Sequence, residues 1–389
     1  MDWQPRSAGI SKKWTLHGGH DVLVAPHVPV PAVKSWNKEC SRVSSRLITL
    51  DGSQGEGGGQ ILRTALTLSL LTGRPFRIVK IRANREKPGL RPQHLAAVHA
   101  AAELGNAELQ GASVGSRDLI FRPGEYEPRD FAIDIGTAGS TSLVLQTLHL
   151  PLALRAEKAV RVELSGGTFN PRAPAFPFLR ATWKGYLDRI GAPIAVAMPA
   201  AGFYPRGGGR LDAWIEPARL RPFVRTERGA VKRVRGVAGV LNLRPDIPER
   251  MRDRALARLD GRGWDVAIEL ADWPGPGQGA AISLTIEHER TAPATFVGLG
   301  ERGKPSEVVA DEAVGELLAF DAATDAAVDA HSADQILLPL ALTPGRSEYT
   351  VAEVTEHLRT NVATIQQFVD RTIAIQEPSA QKPGRVVVV

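Results

Sequence analysis

A chain of 389 residues, 43% apolar and 23% charged, has the composition of an ordinary soluble protein and the length for a large core in more than one domain. Its one cysteine, Cys40, excludes an intrachain disulfide and fits a reducing compartment, while a formal charge of +6 favours polyanionic partners without selecting one. The longest apolar run, Leu143 to Leu154, is interrupted by Gln146, Thr147 and His149, and the charged N-terminus has no apolar stretch after it, so neither membrane insertion nor export is supported and a cytoplasmic location is expected.

Residues 1–45 scatter Pro, Gly, Lys and His without a sustained period and are expected to form an extension outside the main fold. Next comes Leu50 to Leu71, LDGSQGEGGGQILRTALTLSLL. A strand-like lead-in from Leu47 enters a run of Gly55, Gly57, Gly58 and Gly59, where glycine lets the backbone turn and approach a ligand. From Gln60 the apolar residues Ile61, Leu62, Ala65, Leu66, Leu68 and Leu70 fit a buried helix. The glycines then sit at a helix N-terminus, where free N–H groups and the dipole favour an anion. Glu56 inside the run could hold a divalent cation and Arg63 on the first turn could grip phosphate, which suits phosphoryl transfer. A sharp turn with a solvated Glu and Arg accounts for the same residues when they are taken alone.

Further on, PFRIVKIRA (Pro75 to Ala83) alternates as a strand and QHLAAVHAAAEL (Gln93 to Leu104) repeats as a helix, with short strands at Ala107 to Gln110 and Asp118 to Arg122. The grammar recurs in strand Phe131 to Ile135, the turn GTAGS, an apolar helix Ser142 to Leu154, strand Val160 to Leu164 and a helix through Phe178 to Leu187. A repeat near eighty residues suggests duplicated α/β modules. From about Arg225 to Phe320 the texture changes: residues 221–258 hold eleven Lys and Arg against four Asp and Glu. That basic module is either a surface for phosphate backbones or a solvated amphipathic helix. Gly298 to Lys304 matches most of a P-loop, but Pro305 stands where Ser or Thr must hold magnesium, so the motif is rejected. HSADQILLPLAL then groups His331, Asp334 and Gln335 at a helix start, and EHLRTNVATIQQFV places His357 at or near another. No Cys/His zinc spacing and no G-x-S-x-G elbow occurs.

Taken together, QGEGGGQILRTALTLSLLTG, IRANREKPGLRPQHLAA, GTAGSTSLVLQT, SGGTFNPRAP, FYPRGGG, ADQILLPLAL and EHLRTNVA closely resemble the RNA 3′-terminal phosphate cyclase family, in order and spacing, from about Leu47 to Ile375. The resemblance implies an α/β fold of the α+β kind: a large domain of repeated units with paired helices on four-stranded sheets, plus a smaller inserted α/β domain. The expected boundaries are a core of 46–224 and 323–378, an insertion of 225–322 and a C-terminal tail of 379–389.

The resemblance also implies an ATP-dependent, ligase-class reaction. His357 would be adenylated by ATP, AMP would pass to an RNA 3′-phosphate, and the vicinal 2′-OH would close a 2′,3′-cyclic phosphate with release of AMP. Gln146, Pro174 and His331, Ser332, Ala333, Asp334 and Gln335 match the family's nucleotide pocket, Glu56 its ligand for Mg²⁺ or Mn²⁺, and Arg63, Arg82, Arg85 and Gln93 its groups for triphosphate or the RNA end. His331 and Phe169 depart from residues that some members carry. RNA with a 3′-phosphate and ATP are the expected partners, with a homodimer as one open assembly state. A non-catalytic, cyclase-like RNA-binding protein of ribosome assembly would share the scaffold but lack the histidine, and an enolpyruvate transferase of similar design would need no adenylated intermediate.

Overall fold

Ile48 and Leu50 face the interior from strand β1 (Ile48–Asp51) of the computed structural model, which describes residues 46–55 and 58–389. The expected extension 1–45, and Glu56 in the glycine run, lie outside the described residues. Helix α1 (Gln60–Thr72) is apolar nearly all round, and Arg63 alone of its residues is not buried, as expected of a helix packed on several sides. Gly73, at φ 70°, stops it, its N–H bonding the Ser69 carbonyl. Strand β2 (Phe76–Val79) runs parallel to β1, helix α2 (Pro92–Leu104) follows, and the antiparallel pair β3 (Glu108–Gln110) and β4 (Leu119–Arg122) completes a sheet of order β1-β2-β4-β3. The strand expected to reach Ala83 ends at Val79, because Lys80 and Arg82 both take φ 53° and turn the chain out of the sheet.

The same order of elements then repeats. Strand β5 (Phe131–Asp134), helix α3 (Thr141–Arg155) and strand β6 (Val160–Gly166) lead into α4 (Phe176–Phe178) and α5 (Lys184–Ile190), joined by a π-helical turn at Leu179–Trp183. Strands β7 (Ile194–Ala200) and β8 (Gly209–Ile215) close a sheet of order β5-β6-β8-β7, with the same parallel and antiparallel pairings as the first. The repeat seen in the sequence is therefore real.

A third copy is split. Its first strand begins as β9 (Val224–Arg225), and the chain then leaves it for β10 (Val231–Leu241), α6 (Asp246–Leu259), β11 (Val266–Asp272), β12 (Gly279–His288), β13 (Ala294–Leu299) and α7 (Ser306–Ala322). The strand resumes at Val328, which bridges the same neighbour as β9 did. That neighbour is β14 (Ser347–Val351), which lies between α8 (Ala330–Ala341) and α9 (Glu356–Phe368), and β15 (Ile373–Gln376) and β16 (Gly384–Val388) finish a sheet of order β15-β16-β14-β9. The expected tail at 379–389 is thus corrected. Gly384–Val388 is an inner strand, because alternation sends the fully buried Val386 and Val388 into the core while the backbone pairs on both sides.

The interrupting residues form their own sheet, β11-β10-β12-β13, over a separate core that includes Val234, Met251, Ile282, Phe296 and Val314. An aromatic stack joins it to the second unit: Phe169 lies 4.6 Å from Phe203 and 4.8 Å from Trp273 between ring centroids. The basic run is largely neutralised by its surroundings. Arg254 and Arg258 share Asp311, Arg233 pairs with Glu287, Arg235 with Asp265, and Arg244 with Asp246. Buried Arg228 instead donates to the carbonyls of Phe320, Asp321 and Ala323 at the end of α7. These pairings favour the solvated-surface alternative for the module. No helix among the described residues is long and apolar enough to cross a membrane.

Candidate active site

The N-terminal ends of α1, α8 and α9, one from the first unit and two from the third, meet at a cleft of about 1050 Å³. Two of these ends carry side-chain caps: the Asp329 carboxylate accepts from His331 and Ser332, and the Thr355 hydroxyl from Leu358. The end of α1 has none, since its cap is Gly59, and its backbone donors open on the cleft. A Cβ on Gly59 would lie 2.4 Å from His94 Nε2 and 3.0 Å from Arg63 Nη1, so glycine here lets both side chains reach the helix start.

Desolvation of its guanidinium by the surrounding cleft walls, although the side chain is only half-buried, lowers the pKa of Arg63 to about 10, which leaves it charged at neutral pH. His94 accepts the Arg91 N–H at Nδ1 (3.2 Å). Burial, with Arg63, Arg82 and Arg91 nearby, holds its pKa down to about 3, so it is neutral, with its proton on Nε2 facing Gly59. The corner thus offers backbone and imidazole donors beside a permanent cation.

Next to it, Gln60 links two units of the fold. Its Nε2 donates to Asp334 Oδ2 at 2.6 Å, and its Oε1 lies 2.9 Å from His357 Nδ1. A carboxylate takes the amide N–H, so the amide oxygen is left to accept, which places the His357 proton on Nδ1 and the lone pair on Nε2. Asn361 ties the same helices together, its amide donating to the Asp334 carbonyl and accepting from the Thr64 hydroxyl. Gln146 donates to Gln335, which donates in turn to the His331 carbonyl.

Burial raises the Asp334 pKa to about 6, against the opposing charges of His357 and Arg63. The folded carboxyl therefore holds its proton more tightly than the unfolded one, and stability falls as pH rises from about 4 to about 6. Asp334→Asn is expected to raise Tm by a few degrees at pH 7 and to lose most of that gain at pH 4, measured by thermal unfolding. A gain that does not depend on pH would show that burial of the charge is not its source.

The family model for RNA 3′-terminal phosphate cyclase matches residues 54–375. This chain belongs to that family. It is 44% identical over 333 residues to the RNA 3′-terminal phosphate cyclase of Caldivirga maquilingensis, covering 84% of this chain and 94% of that protein. Against the protein of the same name from Ralstonia nicotianae it is 45% identical over 342 residues, covering 87% and 96%. With that from Pyrobaculum aerophilum it shares 42% over 345 residues, covering 88% and 97%.

Of the residues that the cyclase resemblance singles out, Arg63, Arg82, Arg85, Gln93, Gln146, Pro174, His331, Asp334, Gln335 and His357 all line the one cleft. Ser332 and Ala333 do not: both are buried behind it, where the Ala333 carbonyl accepts from the Tyr349 hydroxyl, because the turn of α8 that aims Asp334 and Gln335 outward aims these two inward. Arg82 also holds its own loop, donating to the carbonyls of Lys87 and Gly89. Gln93 accepts the Ser140 N–H. His331 is largely exposed, its ring 3.8 Å from Glu316, which raises its pKa. Phe169 lies in the aromatic stack and is absent from the cleft lining.

Gln60, His94 and Asn361 are the site residues that sequence reasoning missed. Gln60 could have been noticed as a polar residue opening an apolar helix, whereas His94 and Asn361 read as ordinary helix positions. Among the described residues no three His, Cys, Asp or Glu side chains gather to hold a metal ion. Lys304, from the rejected P-loop, donates to the Leu299 carbonyl and the Glu312 carboxylate, which fixes it in its own loop.

Proposed function

We propose that this protein uses ATP to convert an RNA 3′-terminal phosphate into a 2′,3′-cyclic phosphodiester through a covalent adenylate on His357. One observation carries the proposal: the hydrogen-bonded chain Asp334, Gln60, His357 holds the imidazole by its Nδ1 at a cleft lined by Arg63, Arg82 and Arg85, which supports Nε2 as the nucleophile. His357 Nε2 attacks the α-phosphorus of ATP, forming the N–P bond as the P–O bond to pyrophosphate breaks. The proton stays on Nδ1, which donates it to Gln60 Oε1, and that hydrogen bond stabilises the positive ring that forms. An oxygen of the RNA 3′-phosphate then attacks the same phosphorus, breaks the N–P bond and becomes joined to AMP. Finally the 2′-OH attacks the terminal phosphorus, AMP leaves with the bridging oxygen, and the hydroxyl proton passes to the departing AMP phosphate.

Gln146, Pro174, His331, Asp334 and Gln335 would hold the nucleotide, while Arg63, Arg82, Arg85 and Gln93 would hold phosphates. Glu56 would be the residue to hold a magnesium or manganese ion, whose positive charge would offset that of the triphosphate. The cleft's charge supports an RNA end here and not on the inserted module, whose arginines are largely paired. Incubation with α-labelled ATP and magnesium tests the proposal: label is expected on the protein in an acid-labile, alkali-stable linkage, as a phosphoramidate requires. A protein that stays unlabelled yet binds RNA would be the non-catalytic relative.

A further inference from the structure

The most exposed large apolar side chain among the described residues is Tyr204, at 66%. One exposed aromatic is ordinary, so its position matters more than its exposure. Phe169 and Phe203 form a parallel bridge beneath their stacked rings, so Asn170-Pro171-Arg172 and Tyr204-Pro205-Arg206 leave that bridge as neighbouring chains, about 5 Å apart where they start. The first trio lines the cleft. The second starts beside it without lining the cleft itself.

The Tyr204 loop is firmly backed. The Gly207 N–H donates to the Phe203 carbonyl at 2.7 Å, and a Cβ on Gly207 would meet the Ala138 backbone at 2.6 Å. Asn170 donates to the carbonyl of that same Ala138. Arg172 and Arg206 are exposed on the two adjacent chains, and neither has an acidic partner among the described residues, in contrast to the arginines of the inserted module. A firmly backed, exposed aromatic with Arg206 two residues along its own chain and Arg172 on the neighbouring one, beside a cleft lined by arginines, has the parts that hold single-stranded nucleic acid without reading its sequence.

Building on the cyclase proposal, we propose that Tyr204 and Arg206 form a platform for the RNA strand just upstream of its 3′-phosphate. The Tyr204 ring stacks one base, and Arg206 and Arg172 meet the flanking phosphates. The platform makes binding depend on RNA length and not on base identity.

The test is fluorescence anisotropy with single-stranded oligoribonucleotides carrying a 3′-phosphate and a 5′-dye, one a dinucleotide and one a decanucleotide. Tyr204→Ala is expected to weaken decanucleotide binding about tenfold and to do little to the dinucleotide. Tyr204→Phe should restore it, since the ring and not the hydroxyl does the stacking. Arg206→Ala should flatten the slope of log affinity against log salt for the decanucleotide by about 0.7. Tyr204 is exposed, so its replacement leaves the fold standing. Equal losses for both lengths, no loss for either, or unaltered protein that binds the decanucleotide no more tightly than the dinucleotide would overturn the platform. A cyclisation assay on the same protein separates the two proposals: Tyr204-dependent binding without cyclised product would leave the platform standing and remove the enzyme assignment.

Discussion

His357→Ala is expected to reduce label transfer from α-labelled ATP to the protein by roughly 10⁴-fold or more, because no other group takes over a missing nucleophile at this position. The loss should fall on chemistry and not on folding, since His357 is half-buried at a helix start and its removal opens no large cavity. Gln60→Ala makes the comparison informative. It leaves the imidazole in place but removes the acceptor at 2.9 Å that holds Nδ1–H, so the ring can turn and change tautomer. Adenylation should slow on the order of 10²-fold, with ATP binding less affected. Single-turnover labelling, with the protein checked by circular dichroism, distinguishes the two variants. A His357→Ala protein that still cyclises RNA ends would end the covalent mechanism.

A 2′-deoxy terminal sugar bearing a 3′-phosphate should accept AMP and then stop. The closing nucleophile belongs to the substrate, and the protein supplies alignment and charge stabilisation, so nothing on the enzyme can replace the absent hydroxyl. The adenylated end is expected to accumulate as the main product, where the ribose end yields the cyclic phosphate and free AMP. An end with a 3′-hydroxyl should do neither, lacking the phosphate that attacks the adenylated histidine. Resolving the three labelled oligonucleotides after incubation with ATP and magnesium checks this. Cyclisation of the ribose end without ATP consumption, or AMP absent from every terminus, would reverse the order of steps.

Local patterns were legible wherever the physics is local. The glycine run before an apolar 3.6-residue period placed α1 and its anion-receptive end, and alternation found most of the strands, because both signals lie within a few residues. The strand at Gly384–Val388 carries the same kind of local signal in its run of valines, but its inner place in the sheet depends on pairing with β14 and β15. Seven ordered segments placed the chain in its family, and with it the fold class.

Tertiary structure decided what joins distant segments. Gln60 lies 274 residues from Asp334 and 297 from His357, yet its amide decides which imidazole nitrogen carries the proton, a contact that no periodicity encodes. The third repeat was hidden because its first strand is cut between Arg225 and Val328, and a strand so short carries no pattern until β14 pairs with both pieces. The basic run read as a candidate RNA surface because the sequence counts charges. Only the folded chain shows that its arginines meet Asp265, Glu287 and Asp311 from outside the run, while Arg172, with no acidic partner among the described residues, lines the cleft. Charge in sequence is a sum, but the field at a surface depends on which charges are already paired.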